Sequence, residues 1–121
     1  FEADIAKIQV YFDAYACMGI GEEQSVQHYV GYLQDQPVTS STLLLAGGIA
    51  GVYDVSTAPH ARGQGLGRAI SLAPLLEARR RGYRYAVLQS SPAGHPVYAQ
   101  LGFTDLYREV NYRWTASTFS L

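Results

Sequence analysis

Residues 52–69 limit what this chain can fold into more than any other stretch. Val52, Val55 and Thr57 favour a strand, and Pro59 stops it. Glycines follow at alternate positions, Gly63, Gly65 and Gly67, and a helical pattern begins at once. Glycine lets a ligand come close to the backbone, because no Cβ stands in the way. The first turn of a helix carries N–H groups without intrahelical partners, and the helix dipole adds partial positive charge there. Such a place binds phosphate. Arg62 and Arg68 flank it and can add charge-assisted hydrogen bonds. The stretch predicts a phosphate or pyrophosphate site, against the plainer reading of a glycine-rich connection alone.

Two familiar phosphate loops do not fit. Gly-x-x-x-x-Gly-Lys-Ser/Thr needs a lysine that this turn lacks. Gly-x-Gly-x-x-Gly, counted from Gly63 and Gly65, meets Arg68 where its third glycine belongs. That loop also needs an acidic residue about twenty positions on. Residues 83–88 stand there, and none is acidic.

The chain ahead of the turn is read in order. Ile5, Ile8, Tyr11, Phe12 and Tyr15 recur at helical spacing and predict an amphipathic helix over residues 3–18. Strands follow over 28–34 and 38–46, joined by a turn at Asp35-Gln36-Pro37 and antiparallel by its tightness. Gly47-Gly48 turns the chain into a third strand over 49–57. Three antiparallel strands before a helix oppose a dinucleotide-binding oxidoreductase, which would alternate strand and helix.

The helix after the turn spans about residues 65–81. Its buried stripe is read as Leu66, Ala69, Ile70, Leu72, Ala73 and Leu76, with a kink at Pro74. Arg79, Arg80 and Arg81 read as a solvated last turn, and Gly82 as its cap. A buried strand over 85–89 should lie parallel to the strand ending at Thr57, because a helix crosses between them. A short helix over 95–101 follows, and the alternation of Tyr107, Glu109, Tyr112 and Trp114 predicts a closing strand or hairpin over 107–115. Residues 116–121 read as a loose tail.

Bulk properties exclude several classes. A chain of 121 residues is expected to be one domain, 1–121, with a real core. A net charge of −1 opposes general nucleic-acid binding. One cysteine, Cys17, leaves no internal disulfide, and His28, His60 and His95 have no metal-ligand spacing, so no metal is expected. The longest apolar run, residues 43–53, is too short to span a membrane. With Glu2 and Asp4 at an acidic start and no secretory signal, a cytoplasmic protein is expected. The chain starts at Phe1 without Met and without a strand before the first helix. It is therefore expected to be N-terminally incomplete or the C-terminal part of something longer.

Arg62-Gly63-Gln64-Gly65-Leu66-Gly67 resembles the Arg/Gln-x-x-Gly-x-Gly/Ala motif of the GNAT N-acetyltransferase superfamily, which cradles the pyrophosphate of acetyl-CoA. Val87 to Gln89 resembles that family's fifth strand, and Tyr98-Ala99-Gln100-Leu101-Gly102-Phe103 its Tyr-x-x-x-Gly-Phe. The resemblance runs from His28 to Trp114 in the family's order. Residues 86–91 with Val97-Tyr98 resemble one subgroup, some of whose members carry this domain behind another GNAT-like half. The implied fold class is α/β (α+β), a mixed and mostly antiparallel sheet with helices on both faces. It is splayed between the fourth and fifth strands, with the family's first strand missing here.

The resemblance also implies roles. Backbone groups of Val55 and Thr57, with Ser56 between them, would pair with the pantetheine arm of acetyl-CoA. Amides from Gly63, Gln64, Gly65, Leu66 and Gly67 to Arg68 would hold the pyrophosphate, beside Arg62. Ser91 stands where the family often has an Asn that contacts CoA. Tyr98 would face the thioester sulfur and protonate the departing thiolate, since a phenol has a pKa of about 10. It otherwise reads as one core aromatic among ten tyrosines. The family's strand-four Glu falls near Gly51, which cannot serve as a base. Asp54 is the nearest carboxylate, read either as the general base or as a surface or substrate-binding residue. The implied activity is direct transfer of acetyl from acetyl-CoA to a primary amine of a small-molecule or amino-acid-like acceptor. The alternative is a non-catalytic acyl-CoA-binding or regulatory module. A homodimer, or packing against an N-terminal domain, is the expected assembly; nucleic acid and membrane are not expected partners.

Overall fold

A computed structural model describes Asp13, Ala14, Ala16, Cys17, Gly19, Gly21 and residues 23–116. Asp13, Ala14, Ala16 and Cys17 are helical, and the rest of the helix expected over 3–18 lies outside the described residues. Strand β1 is Val26–Leu33, β2 is Gln36–Ala46 and β3 is Ile49–Thr57. A 3-10 turn at Pro59–Ala61 and the glycine turn lead into helix α1, Leu66–Arg80. Strand β4, Ala86–Leu88, and helix α2, His95–Gln100, follow. The sheet order is β1-β2-β3-β4, antiparallel until β4, which runs parallel to β3. The architecture is thus mixed α/β with a mostly antiparallel sheet. Among the described residues no strand precedes β1.

Both hairpins close with two residues at positive φ: Gln34 (49°) with Asp35 (63°), and Gly47 (58°) with Gly48 (78°). Paired positive φ values match the right-handed twist of the flanking strands. The first turn therefore lies at Gln34-Asp35, and Gln36 and Pro37 already belong to β2. Pro37 sits near the strand's start, where a missing donor is tolerated.

Alternation along the strands puts Leu43, Leu45 and Ala50 on one face, packed with Ala78 of α1 and bordered by Tyr29, Tyr83 and Ala86. Helix α1 covers this face. Its buried residues are Ile70, Ser71, Pro74 and Ala78, and Leu76 is exposed. The buried stripe is therefore turned away from the expected one, toward small side chains that let the helix approach the sheet. Pro74 lacks the N–H that would bond the Ile70 carbonyl. Ser41 of β2 takes its place, donating its hydroxyl to the Ile70 oxygen at 2.7 Å.

Helix α1 ends as a Schellman cap: Gly82 N–H bonds the Arg79 carbonyl (3.0 Å) and Tyr83 N–H the Ala78 carbonyl (3.0 Å), with Gly82 at φ 88°. Arg80 and Arg81 both bond Glu77, and Arg81 also donates to the Gln24 carbonyl at 2.9 Å. The Arg81 side chain is only 12% exposed, so this turn is not merely solvated.

Residues 107–115 do not form the expected strand. From 104 to 116 the chain is exposed and makes no backbone–backbone hydrogen bond among the described residues. An alternating strand needs a neighbour for its apolar face, and Leu106, Val110, Tyr112 and Trp114 are 72–92% exposed.

Candidate functional site

Strand β3 runs alongside β4 only from Ala50 to Val52, whose partners are Ala86 to Leu88. Beyond that point β3 continues to Thr57 without a paired strand on that side among the described residues. The Ser56 carbonyl and the Ala58 N–H both face β2, bonding Thr39 Oγ1 (2.7 Å) and the Val38 carbonyl (2.7 Å). Backbone groups alternate in direction along a strand. By the same alternation Thr57 turns its backbone groups away from β2.

The pairing of β3 with β2 is irregular over this stretch. Ser40 pairs with Ser56 but Thr42 with Tyr53, so Asp54 and Val55 together oppose Ser41. This is a β-bulge, and Asp54 carries it at φ 54°. Asp is among the few residues that tolerate this region. The Asp54 side chain is exposed on the bulge.

The turn after β3 is held from both sides. Arg62 Nε donates to the Thr57 carbonyl at 3.1 Å, and Thr57 Oγ1 lies 3.1 Å from Thr39 Oγ1. Gly63 (φ 78°) and Gly65 (φ 79°) take left-handed conformations, and Gly65 is the N-cap of α1. The first helical bond runs from Ala69 N–H to the Gly65 carbonyl, at 3.1 Å. From Gly63 to Arg68 no N–H has a backbone acceptor among the described residues. Open space surrounds the missing Cβ positions of Gly63 and Gly65. A row of donors at a helix start, in open space, with Arg62 and Arg68 exposed beside it, suits the pyrophosphate of acetyl-CoA. Gly67 is a helical residue of the first turn, close to Thr57 Oγ1.

The Tyr98–Phe103 motif is a second Schellman cap. Gly102 N–H bonds the Ala99 carbonyl (3.1 Å) and Phe103 N–H the Tyr98 carbonyl (3.1 Å), with Gly102 at φ 98°. The residue after the glycine then meets the residue three before the helix end. Phe103 accordingly packs edge-on against Tyr98, centroids 6.2 Å apart at 76°. The Tyr98 ring also lies across Gly94, where a Cβ would come within 2.9 Å of Cε2. Burial pushes the phenol above its ordinary pKa, with Ser71 of α1 pulling it partly back.

Ser91 closes the turn into α2: its Oγ and its carbonyl both accept the Gly94 N–H, at 3.2 and 3.1 Å. That gives it a structural task beside the expected contact to CoA. Within α1, Ser71 Oγ donates to the Gly67 carbonyl at 2.7 Å.

One residue near the glycine turn escaped the sequence reading. Ser71 is fully buried in α1, and its spacing of four from Gly67 was the available signal. Tyr53 lies over Gly51: a Cβ at 51 would come within 2.4 Å of its ring and 2.9 Å of its hydroxyl. The glycine is what lets this ring lie on the sheet. A cavity of about 430 Å³ opens near the other end of α1, lined by Arg79, Gly82, Tyr83, Arg84 and Tyr85 among others, and no residue of the glycine turn lines it. Among the described residues no group of His, Cys, Asp and Glu could hold a metal, and no helix is long and apolar enough to cross a membrane.

Comparison with known proteins adds three findings. The family model described as an acetyltransferase (GNAT) domain matches residues 19–105. A mycothiol acetyltransferase of Thermobispora bispora is 41% identical over 70 residues, 55% of this chain and 24% of that protein. The match thus spans about a quarter of that relative's length. Among solved structures, a Trypanosoma brucei acetyltransferase superposes with a TM-score of 0.69 at 22% identity, covering 94% of this chain and 82% of that one. A Clostridium acetobutylicum acetyltransferase solved with acetyl-CoA gives 0.66 at 19% identity, covering 92% and 77%.

Proposed function

The chain belongs to the GNAT acetyltransferase family, and we propose that it transfers the acetyl group of acetyl-CoA to a primary amine of a small-molecule acceptor. The observation that carries this is the row of N–H groups from Gly63 to Arg68 at the start of α1, opening beside the free edge of β3. Val55 and Thr57 would hold the pantetheine arm along that edge, and the turn would hold the pyrophosphate. Acetyl-CoA supplies an acetyl group activated as a thioester. Tyr98 is the proton donor to the departing sulfur: a phenol is protonated at neutral pH, and burial raises its pKa further.

The acceptor side is the face of Tyr53 and Asp54. Asp54 takes the amine's proton, directly or through water, and the Tyr53 ring forms a flat floor for the acceptor. Because the curated relatives are named mycothiol acetyltransferases, a mycothiol-related amine is the first acceptor to try.

A panel of amines tests the proposal: amino sugars, amino-acid amides and cysteine-containing amines, each with acetyl-CoA, scored by released CoA thiol. Turnover with one of them, reduced about a hundredfold in Tyr98→Phe at unchanged acetyl-CoA affinity, is the expected result. A second reading, a non-catalytic acyl-CoA-binding module, draws on Gly51, which stands where the family's strand-four Glu falls and supplies no carboxylate there. Tight acetyl-CoA binding without turnover on any amine would favour it.

A further inference from the structure

We infer that the cavity at the far end of α1 is a second ligand site, suited to a small aromatic phosphate monoester. The cavity holds about 430 Å³, within the range of sites that take a small organic molecule. Ala50 and Ala78 line it with small apolar side chains. Arg79, Tyr83, Arg84 and Tyr85 line it with two guanidinium groups and two phenols, and no Asp or Glu does. Helix α1 has 15 residues, about 22 Å of length, between the glycine turn and this cavity. The two are separate places to bind.

Charge is what selects the ligand. Four of the chain's nine Lys and Arg residues fall between positions 79 and 84. Arg80 and Arg81 share Glu77. The guanidinium groups of Arg79 and Arg84, by contrast, make no ion pair or hydrogen bond among the described residues. The two cations that line the cavity are thus the two without a counterion. A net charge of −1 for the whole chain makes this a local excess. One carboxylate would neutralise only one of them. A phosphate monoester carries a charge of about −1.5 to −2 at pH 7 and matches both, with oxygens that suit the guanidinium fork. The Tyr83 and Tyr85 hydroxyls are further donors, and a phenol ring offers a flat face to an aromatic group. Tyr85 is 69% exposed, so folding leaves this ring open to such a partner. The helix dipole puts partial negative charge at this end, but the Arg79 and Ala78 carbonyls are already taken by the Gly82 and Tyr83 N–H groups. The short segment carrying Arg84 is held on its other side by the Ala50 N–H, which bonds the Tyr85 carbonyl at 3.0 Å. Its backbone is therefore set before a ligand arrives, which lowers the cost of binding.

Phenyl phosphate is the probe, titrated into 15N-labelled protein while each backbone amide resonance is followed. Saturable shifts are expected at Gly82, Tyr83, Arg84 and Tyr85. Arg79→Gln and Arg84→Gln should each weaken this binding about tenfold. Arg80→Gln removes a charge from the same helix turn but outside the cavity, and should change it by less than about twofold. All three side chains are exposed, so the fold is retained, and unshifted resonances elsewhere check it. Benzoate and inorganic phosphate each lack one part of the probe and should bind at least about tenfold more weakly. Shifts confined to the amides of Gly63 to Arg68 would place the probe at the glycine turn and overturn the inference. An absence of saturable shifts at Gly82 to Tyr85, or equal weakening by all three arginine variants, would overturn it as well. Benzoate or inorganic phosphate binding as tightly as phenyl phosphate would overturn the ligand class. None of these readings uses turnover, so the outcome is independent of the acetyl-transfer reading.

Discussion

The Ser41 hydroxyl donates to the Ile70 carbonyl across 2.7 Å, supplying from β2 the hydrogen bond that Pro74 cannot make within α1. Both Ser41 and Pro74 are fully buried, so neither water nor a mobile neighbour replaces the bond. A buried carbonyl left unpaired costs about 1–3 kcal/mol. Ser41→Ala is therefore expected to destabilise the fold by about that much in urea unfolding. In a Pro74→Ala background residue 74 recovers its N–H, and the same Ser41→Ala change should cost clearly less. Equal costs in both backgrounds would show that the pairing of Ser41 with a proline-freed carbonyl is not what stabilises this helix.

The same pair shows where the sequence is legible. Tyr98-x-x-x-Gly102-Phe103 could be read because a Schellman cap places its parts at fixed local spacing, within one helix end. The glycine turn could be read for the same reason. Pro74 was visible, but its compensation by Ser41 was not, because the two are joined only by tertiary packing. The buried stripe of α1 was misread in consequence: hydrophobicity favours Leu76, whereas close approach to the sheet favours Ser71 and Ala78. The bulge at Asp54 depends on the register of β2 and leaves no mark on β3 alone. Residues 107–115 alternate as a strand does, yet alternation does not supply a neighbouring strand.

Gly65 separates two effects at the phosphate turn. At φ 79° any side chain is strained, by about 1–2 kcal/mol, but its Cβ would meet no atom. The fold should therefore survive Gly65→Ala and Gly65→Asp alike. In Gly65→Asp the new carboxylate lies at the helix N-cap, among the N–H groups a phosphate would use. Calorimetric titration with acetyl-CoA should show a modest loss of affinity for Gly65→Ala and at least about a tenfold greater loss for Gly65→Asp. Equal affinities would remove the turn from the binding site.

Glu77 sets a pH dependence at the far end of α1. Hydrogen bonds from Arg80 and then Arg81 lower its pKa from 4.5 to about 2. A carboxyl depressed in the folded state adds stability above its unfolded pKa and loses it as pH falls through the folded one. The contribution is complete above about pH 5 and fades toward pH 2. Solvent reaches this triad, so the effect is modest and weakened by salt. Melting temperatures of wild type and Glu77→Gln should differ at pH 7 and converge as pH approaches 2. A gap that persists unchanged at low pH would rule out the ionised Glu77 as its source.

The last prediction concerns residues 104–116. Backbone hydrogen bonds protect a chain from proteolysis because a protease must bind it extended, and helices have to open locally first. Arg108 and Arg113 lie in exposed chain with no backbone bond among the described residues, whereas Arg68, Arg79 and Arg80 lie within α1. Brief trypsin treatment followed by mass spectrometry should therefore show cleavage after Arg108 and Arg113 well before any cut inside α1. If this stretch instead takes a strand partner in solution, both sites would resist as long as the helical arginines do. The same alternation that places Leu106, Val110, Tyr112 and Trp114 on one side would then be buried, and the rate of cutting measures how much of the time it is.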